Sequence, residues 1–204
     1  MMPILILAAG ASSRMRGVDK LMLDVDGAPL LRRQALMALC VSDDVRVALP
    51  PRPHRRYDAV ADLAVQQVEV ADPSEGLSAS LRCLFGTLEA DVTHAMVLLC
   101  DLPDLTADDL RAVCDAVTQT PDAMIWRGAT PSGKCGHPMI FARALFDDVQ
   151  SLTGDSGGQS IVANAGNAVH LVRFQDDRAR NDLDTPEAWA AWRAARTGRP
   201  TAGD

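Results

Sequence analysis

The segment Leu7-Ala8-Ala9-Gly10-Ala11-Ser12-Ser13-Arg14-Met15-Arg16-Gly17-Val18-Asp19-Lys20 joins the end of an apolar run to small residues, two hydroxyls and three cations. Small residues let backbone N–H groups approach phosphate oxygens, and Arg14 and Lys20 carry charge that can neutralise a polyphosphate. The segment therefore reads as a phosphate cradle. Its alternative is a tight strand-to-helix turn with surface arginines. Neither G-x-x-x-x-G-K-[ST] nor G-x-G-x-x-G is present, which disfavours kinase and dinucleotide-dependent oxidoreductase readings.

Asp101 follows the apolar run Ala95-Met96-Val97-Leu98-Leu99-Cys100. A carboxylate fixed by the end of a buried strand suits Mg²⁺, which prefers hard oxygen ligands on a rigid support. A second carboxylate is expected nearby. Asn181-Asp182-Leu183-Asp184-Thr185-Pro186 offers two, and alternation along an extended segment would point Asp182 and Asp184 to the same side. Alternatively, both acids serve only to initiate the last helix.

Other residues carry weaker signals. Cys100 reads as a buried thiol rather than a nucleophile. His137, in Gly136-His137-Pro138, reads as a surface or packing residue, or as a residue that positions a ligand, rather than as a proton-transfer group. Gly154-Asp155-Ser156-Gly157-Gly158 is a turn before a helix, either an ordinary loop or a set of backbone donors for an anion. Trp126, Trp189 and Trp192 read as core or helix-face residues rather than stacking platforms.

The elements that must position these groups alternate between strand and helix. Ile4 to Ala9 is a continuous apolar run, the pattern of a parallel strand buried on both faces. Leu30 to Leu39 has helical spacing after Pro29, Val45 to Leu49 and Val65 to Val70 read as strands, and a short helix is expected around Tyr57 to Leu63. Leu77 to Leu88 reads as helix, Ala95 to Cys100 as a central strand, and Thr106 as the N-cap of a helix reaching Val117. Ala123 to Trp126 is the next expected strand. Gly128 to Pro138 is expected to form a loop or hairpin before Met139-Ile140-Phe141. Helices at Ala142 to Val149 and Gly157 to Ala165, a strand at Val169 to Phe174 and a helix opened by Pro186 complete the pattern.

Such alternation predicts an α/β, three-layer, Rossmann-like fold, with a mostly parallel sheet and helices on both faces. Ligands gather outside the carboxyl ends of the strands in such sheets, where Gly10 and Asp101 both fall. The 204 residues fit one domain, expected over 1–196, with 197–204 as a disordered tail.

Composition narrows the class. At 48% hydrophobic and 23% charged, the chain is too apolar for disorder, and its net charge of −7 disfavours nonspecific attraction to nucleic acid or membrane. The run Pro3 to Ala9 is too short to span a bilayer and lacks a basic leader, so the cytoplasm is the expected compartment. The five cysteines and four histidines show neither C-x-x-C nor zinc-ligand spacing, which points to free thiols and no transition-metal site.

The first segment resembles the motif L-A-A-G-x-S-x-R-M-G-x-x-K of the molybdenum cofactor nucleotidyltransferases. These form the MobA-like branch of the glycosyltransferase-A-like (nucleotide-diphospho-sugar transferase) fold. Here it reads Leu7 to Met15, then an added Arg16, then Gly17 to Lys20. Gly76-Leu77-Ser78-Ala79-Ser80-Leu81 is similar to that family's G-[ML]-x-x-S-L, Leu99-Cys100-Asp101-Leu102-Pro103 to its G-D-M-P, and Gly136-His137-Pro138 to its G-H-P. Asp182 to Glu187 completes the order, so the matches run from residue 4 to about residue 190.

The resemblance implies attack by an acceptor phosphate on the α-phosphorus of a nucleoside triphosphate, with pyrophosphate leaving. Leu7, Ala8, Ala9, Gly10, Ser12, Ser13, Arg14, Lys20, Gly76, Ser78 and Ser80 would bind the nucleotide. Arg14, Lys20 and Asp101 would be catalytic. Asp101 and Asp184, with Asp182 as alternative, would hold Mg²⁺. Gly136, His137, Pro138, Gly154 and Asp155 would meet the acceptor.

The form Leu7-Ala8-Ala9-Gly10 is similar to the cytidylyltransferase members, since the guanylyltransferase pattern has Gly where this chain has Ala9. A methyl there can obstruct a purine. CTP and molybdopterin are accordingly the expected substrates, and a molybdenum hydroxylase apoenzyme the expected recipient. A guanylyltransferase or a sugar-phosphate nucleotidyltransferase is the alternative within this class. A noncatalytic chaperone that inserts the finished cofactor is the alternative outside it, and the pairing of Asp101 with Asp184 argues against it.

Overall fold

The run at the N-terminus forms β1 (Ile4–Leu7), and its four side chains alternate between two cores. Ile4 and Ile6 enter one hydrophobic cluster, while Leu5 and Leu7 enter another on the opposite face. Period-two alternation makes a strand with no polar positions the natural centre of a sheet covered on both sides. The computed structural model describes residues 2–154 and 157–197.

After β1 come a two-strand ribbon, β2 (Asp24–Val25) and β3 (Ala28–Pro29), and the helix α1 (Leu30–Leu39). Next are β4 (Val45–Leu49), α2 (Arg56–Ala59), β5 (Gln66–Glu69), α3 (Leu77–Phe85) and β6 (His94–Leu99). The second half holds α4 (Ala107–Gln119), β7 (Ile125–Ala129), β8 (Cys135–Ala142), α5 (Phe146–Gln150), α6 (Gln159–Ala165), β9 (Val169–Arg173) and α7 (Pro186–Thr197). The seven-stranded sheet has the order β5-β4-β1-β6-β8-β7-β9. β8 runs antiparallel to both of its neighbours, and the other pairings are parallel.

The two clusters define the outer layers. Leu30, Leu31 and Ala35 of α1, Leu110 and Val113 of α4, and Trp189 and Trp192 of α7 pack with Ile4 and Ile6. Leu81, Leu84 and Phe85 of α3, Phe146 and Val149 of α5, and Ile161 of α6 pack with Leu5 and Leu7. The expected α/β sandwich with a mostly parallel sheet is therefore what forms. The three tryptophans are buried in it, and their indole N–H groups are satisfied by Thr120, Leu183 and Asp104.

Thr106 caps α4 as expected. Its hydroxyl accepts from the Asp109 N–H at 3.3 Å, and the Asp109 carboxylate accepts from the Thr106 N–H at 2.9 Å. This reciprocal capping box is worth about 1 kcal/mol.

The loop or hairpin expected at residues 128–138 is a hairpin, with strands that reach further into it than the sequence pattern suggests. β7 continues through Ala129 and β8 begins at Cys135, leaving only a short connection. Gly128 and Gly136 are strand residues chosen for close approach. A Cβ on Gly128 would lie 2.4 Å from the His137 carbonyl oxygen, and one on Gly136 would lie 2.2 Å from that of Ala179. Elsewhere the corrections are to boundaries: α3 stops at Phe85, three residues early, and the helix expected at Tyr57 to Leu63 is the single turn Arg56–Ala59. The tail expectation concerns residues that, beyond Thr197, lie outside the described part of the chain.

Candidate active site

Register brings the two chemical signals together. Leu7 pairs with Ala48 on one side and with Leu99 on the other, so Ala8–Gly10 and Cys100–Asp101 leave the sheet side by side at its carboxyl edge. They open onto a cavity of about 420 Å³. Leu7, Ala9, Gly10, Ser12, Ser13, Arg14, Lys20, Gly76, Ser80, Asp101 and Asp184, all singled out by the motifs, line it together.

Lys20 stands between the acids. Its Nζ donates to Asp101 Oδ2 at 2.5 Å and to Asp184 Oδ1 at 2.6 Å, while Arg14 pairs with the other oxygen of Asp184. The Lys20 side chain is 14% exposed and that of Asp101 18%. Burial pulls the Lys20 pKa down, but Asp101 and Asp184 outweigh it and the net shift is upward, so the ammonium stays charged. Burial likewise pushes Asp184 up, and the hydrogen bond and charge of Lys20 and the neighbouring Arg14 bring it below the ordinary carboxylate value.

Asp184 is delivered by its neighbour. Leu183 is buried in the core and its N–H donates to the Asp101 carbonyl at 3.0 Å, which clamps the extended segment against the end of β6. With Leu183 inward, Asp184 faces the cluster. Asp182 lies outside the cavity wall, and burial, with help from Asp101 and Asp184, raises its pKa. Asp101 Oδ1 is buried and has no hydrogen-bond partner, leaving one hard oxygen available. Among the described residues no group of three or more His, Cys, Asp or Glu side chains is placed to hold a metal ion. The candidate donors are the two carboxylates.

Arg56 was invisible to motif reading. Its guanidinium is 2% exposed and donates to the Ala8 and Gly10 carbonyls at 2.7 and 2.8 Å, to Ser12 Oγ at 3.3 Å, and to both carboxylate oxygens of Asp19. Asp19 also accepts from the Leu21 N–H at 3.1 Å, at the start of the short 3-10 turn Lys20–Met22. One buried cation thus ties both ends of the cradle together. Within it Ser12 has φ 53°, a left-handed conformation that costs a non-glycine residue roughly 1–2 kcal/mol. Pro73 and Ser74 also line the cavity unforeseen, brought there by the 3-10 turn Pro73–Glu75, which Asp72 caps, and Leu77 at the start of α3 lines it beside them.

The remaining expected residues lie off the cavity. Ala8 turns its side chain into the core and contributes its carbonyl to Arg56. Ser78 is fully buried with an unpartnered Oγ. Gly154 accepts from the Ser78 N–H at 3.4 Å, so its loop packs on the first turn of α3. Asp155 lies outside the described residues. Gly136 and Pro138 are buried strand residues. Part of His137 still reaches solvent, yet its Nδ1 is buried without a partner. Burial and the Arg127 charge push its pKa down to about 3, against a small opposing contribution from the Val97 backbone. It is neutral at physiological pH, which supports packing or positioning over proton transfer. Cys100 lines the cavity but is 2% exposed, and burial pushes its thiol far up, out of nucleophilic range. No helix among the described residues is long and apolar enough to cross a membrane.

Comparison with known proteins agrees with this geometry. Residues 4–170 match the MobA-like NTP transferase domain. The molybdenum cofactor guanylyltransferase of Pseudomonas fluorescens is 32% identical over 190 residues, covering 90% of each chain. A Synechococcus elongatus protein, described as a probable molybdenum cofactor guanylyltransferase, is 36% identical over 118 residues; the match covers 57% of this chain and 59% of that protein. A solved structure, the Mycobacterium sp. strain JC1 homolog of Mycobacterium tuberculosis Rv0371c, superposes with a TM-score of 0.82 at 25% identity, covering 96% of both chains. With its cradle, paired carboxylates and sheet order in that company, the chain belongs to the MobA-like NTP transferase family.

Proposed function

We propose that this chain transfers a nucleoside monophosphate from a triphosphate to the terminal phosphate of a molybdopterin-type acceptor, releasing pyrophosphate. The observation that carries this reading is the junction of cradle and acids: Arg14 and Lys20 share one cavity wall with Asp101 and Asp184. Phosphoryl displacement chiefly requires alignment and charge neutralisation, and a phosphate acceptor is already ionised, so no general base is needed. Neutral His137 fits that economy.

A divalent ion, with Mg²⁺ as our choice, fits the donor set. Mg²⁺ is commonly held by one or two carboxylates together with substrate phosphates, and Asp101 has a buried oxygen without a partner. Asp101 and Asp184 would hold it, and it would neutralise charge developing on the phosphates. The chain itself supplies orientation. Arg56 fixes the Ala8 and Gly10 carbonyls and so holds the backbone of the cradle at the end of β1.

GTP is the donor that the curated relatives support, and it takes precedence over the CTP expected from the sequence. CTP remains the second reading because Ala9 lines the cavity; a molybdenum hydroxylase apoenzyme would then be the recipient. Pyrophosphate release should be measured with ATP, GTP, CTP and UTP, with and without molybdopterin. Release that requires molybdopterin and is fastest with GTP is the expected result. Preference for CTP would establish the second reading, and no release with any triphosphate would overturn the proposal.

A further inference from the structure

Lys20 occupies the position that a cation bound by Asp101 and Asp184 would need. Its ammonium touches both carboxylates, at 2.5 and 2.6 Å, and no described side chain other than Lys20 pairs with Asp101. Mg²⁺ bonds carboxylate oxygens at about 2.0–2.1 Å; Asp101 Oδ1 has no partner, but an ion bridging the two acids meets the ammonium at the space between Asp101 Oδ2 and Asp184 Oδ1, so the two cations compete there. Lys20 is equipped to leave. Lysine is a compact charge on a flexible four-carbon stem, and only that stem has to move. Its backbone is anchored through Asp19, which caps the 3-10 turn and is itself gripped by buried Arg56. A short swing of the stem keeps the ammonium in the cavity that Ser12, Ser13 and Arg14 also line.

We propose that Lys20 is a displaceable counter-ion: in the nucleotide-free protein it neutralises the Asp101–Asp184 pair and keeps a divalent cation out, until a triphosphate in the cradle draws the ammonium away. The proposal rests on the nucleotidyl-transfer reading. Metal and nucleotide then bind with positive coupling, because the triphosphate removes the competitor for the metal seat, and linkage makes the effect mutual. Binding of metal alone is correspondingly weak. The arrangement also gives Lys20 opposite effects in two states: it opposes metal binding before the nucleotide arrives and supports the phosphates afterwards.

The test is calorimetric titration of Mn²⁺ into the full nucleotide-free chain, for wild type, Lys20→Met and Lys20→Arg, with thermal melts to confirm folding. Lys20→Met, which keeps the stem without the charge, should bind Mn²⁺ roughly tenfold more tightly than wild type, the scale of one partly screened charge contact. Lys20→Arg should restore weak binding. Should Lys20→Met not fold, Lys20→Gln takes its place in the same titration. Equal or weaker Mn²⁺ binding without the ammonium overturns the proposal. So does tight binding that survives Asp101→Asn in the Lys20→Met background, since the ion would then sit elsewhere. These titrations need neither donor nor acceptor, so they can succeed or fail independently of the pyrophosphate assay.

Discussion

Arg56 and Asp19, 37 residues apart, form a buried two-pronged ion pair beneath the cradle, with Nε 2.9 Å from one carboxylate oxygen and Nη2 2.7 Å from the other. The remaining guanidinium nitrogen holds the carbonyls of Ala8 and Gly10. Removing the cation should therefore loosen the loop and strand a half-buried carboxylate. Arg56→Met should cost about 3–5 kcal/mol, the usual scale for breaking a buried pair from one side. Arg56→Met combined with Asp19→Asn should recover part of that stability without recovering nucleotide affinity. Chemical denaturation and nucleotide titration of the three proteins check this. If triphosphate binding is unchanged in Arg56→Met, the guanidinium does not organise the cradle.

Asp101→Asn keeps the side-chain shape while removing the charge. It should lower single-turnover pyrophosphate release by about 10²–10³-fold, the scale seen when one electrostatic element of a transition state is lost. The melting temperature should change little, since the carboxylate sits at the cavity edge rather than in the core. Titrating Mg²⁺ into both proteins provides the check. Undiminished turnover with the same metal dependence would remove Asp101 from the site.

His137 links pH to stability with a definite sign. Its folded pKa of about 3 lies below its ordinary 6.5, because burial and Arg127 oppose protonation. Between those values the unfolded chain takes up a proton that the native ring refuses, so this contribution favours unfolding as pH falls from 6.5 toward 3 and vanishes above 6.5. The effect is bounded at roughly a few kcal/mol. Melts from pH 7 to pH 4 should show a shallower decline for His137→Asn than for wild type. Parallel declines would mean that the ring protonates freely in the native state.

These sites differ in how legible they were. β1 and β6 announced themselves, since a strand buried on both faces needs an unbroken apolar run, and Asp101 was conspicuous as the first charge after one. Alternation put Asp182 and Asp184 on one side without choosing between them, and the resemblance set Asp184 first; of the two, only Asp184 lines the cavity, because buried Leu183 holds the segment in place. Arg56, by contrast, sits in Pro53-His54-Arg55-Arg56, where a charge reads as solvated surface; only its contact with a distant carboxylate gives it a role. Gly128 and Gly136 misled in the other direction. Their missing side chains admit the backbones of His137 and Ala179, a tertiary reason that local pattern cannot distinguish from a turn.

Ala9 decides how much of the donor choice lies in the motif itself. Sequence reasoning assigns its methyl a steric role against purines, worth about 10–200-fold if it fills a base pocket. The fold weakens that argument. Ala9 is 2% exposed and packs into the cluster with Leu7, Val70, Ala79 and Leu81, so most of the methyl is spent on the core beneath α3 rather than on the cavity. A group so little exposed cannot exclude much of a ring. Removing it should therefore leave selectivity nearly intact while costing roughly 1 kcal/mol of packing and backbone entropy. We expect wild type to show a higher kcat/KM with GTP than with CTP, and Ala9→Gly to keep the ratio within about threefold, a difference of under 1 kcal/mol. Steady-state kinetics with both triphosphates at saturating molybdopterin measure it. A wild type that prefers CTP, together with an Ala9→Gly variant that admits GTP by tenfold or more, would return the methyl to the base pocket and establish the cytidylyl reading.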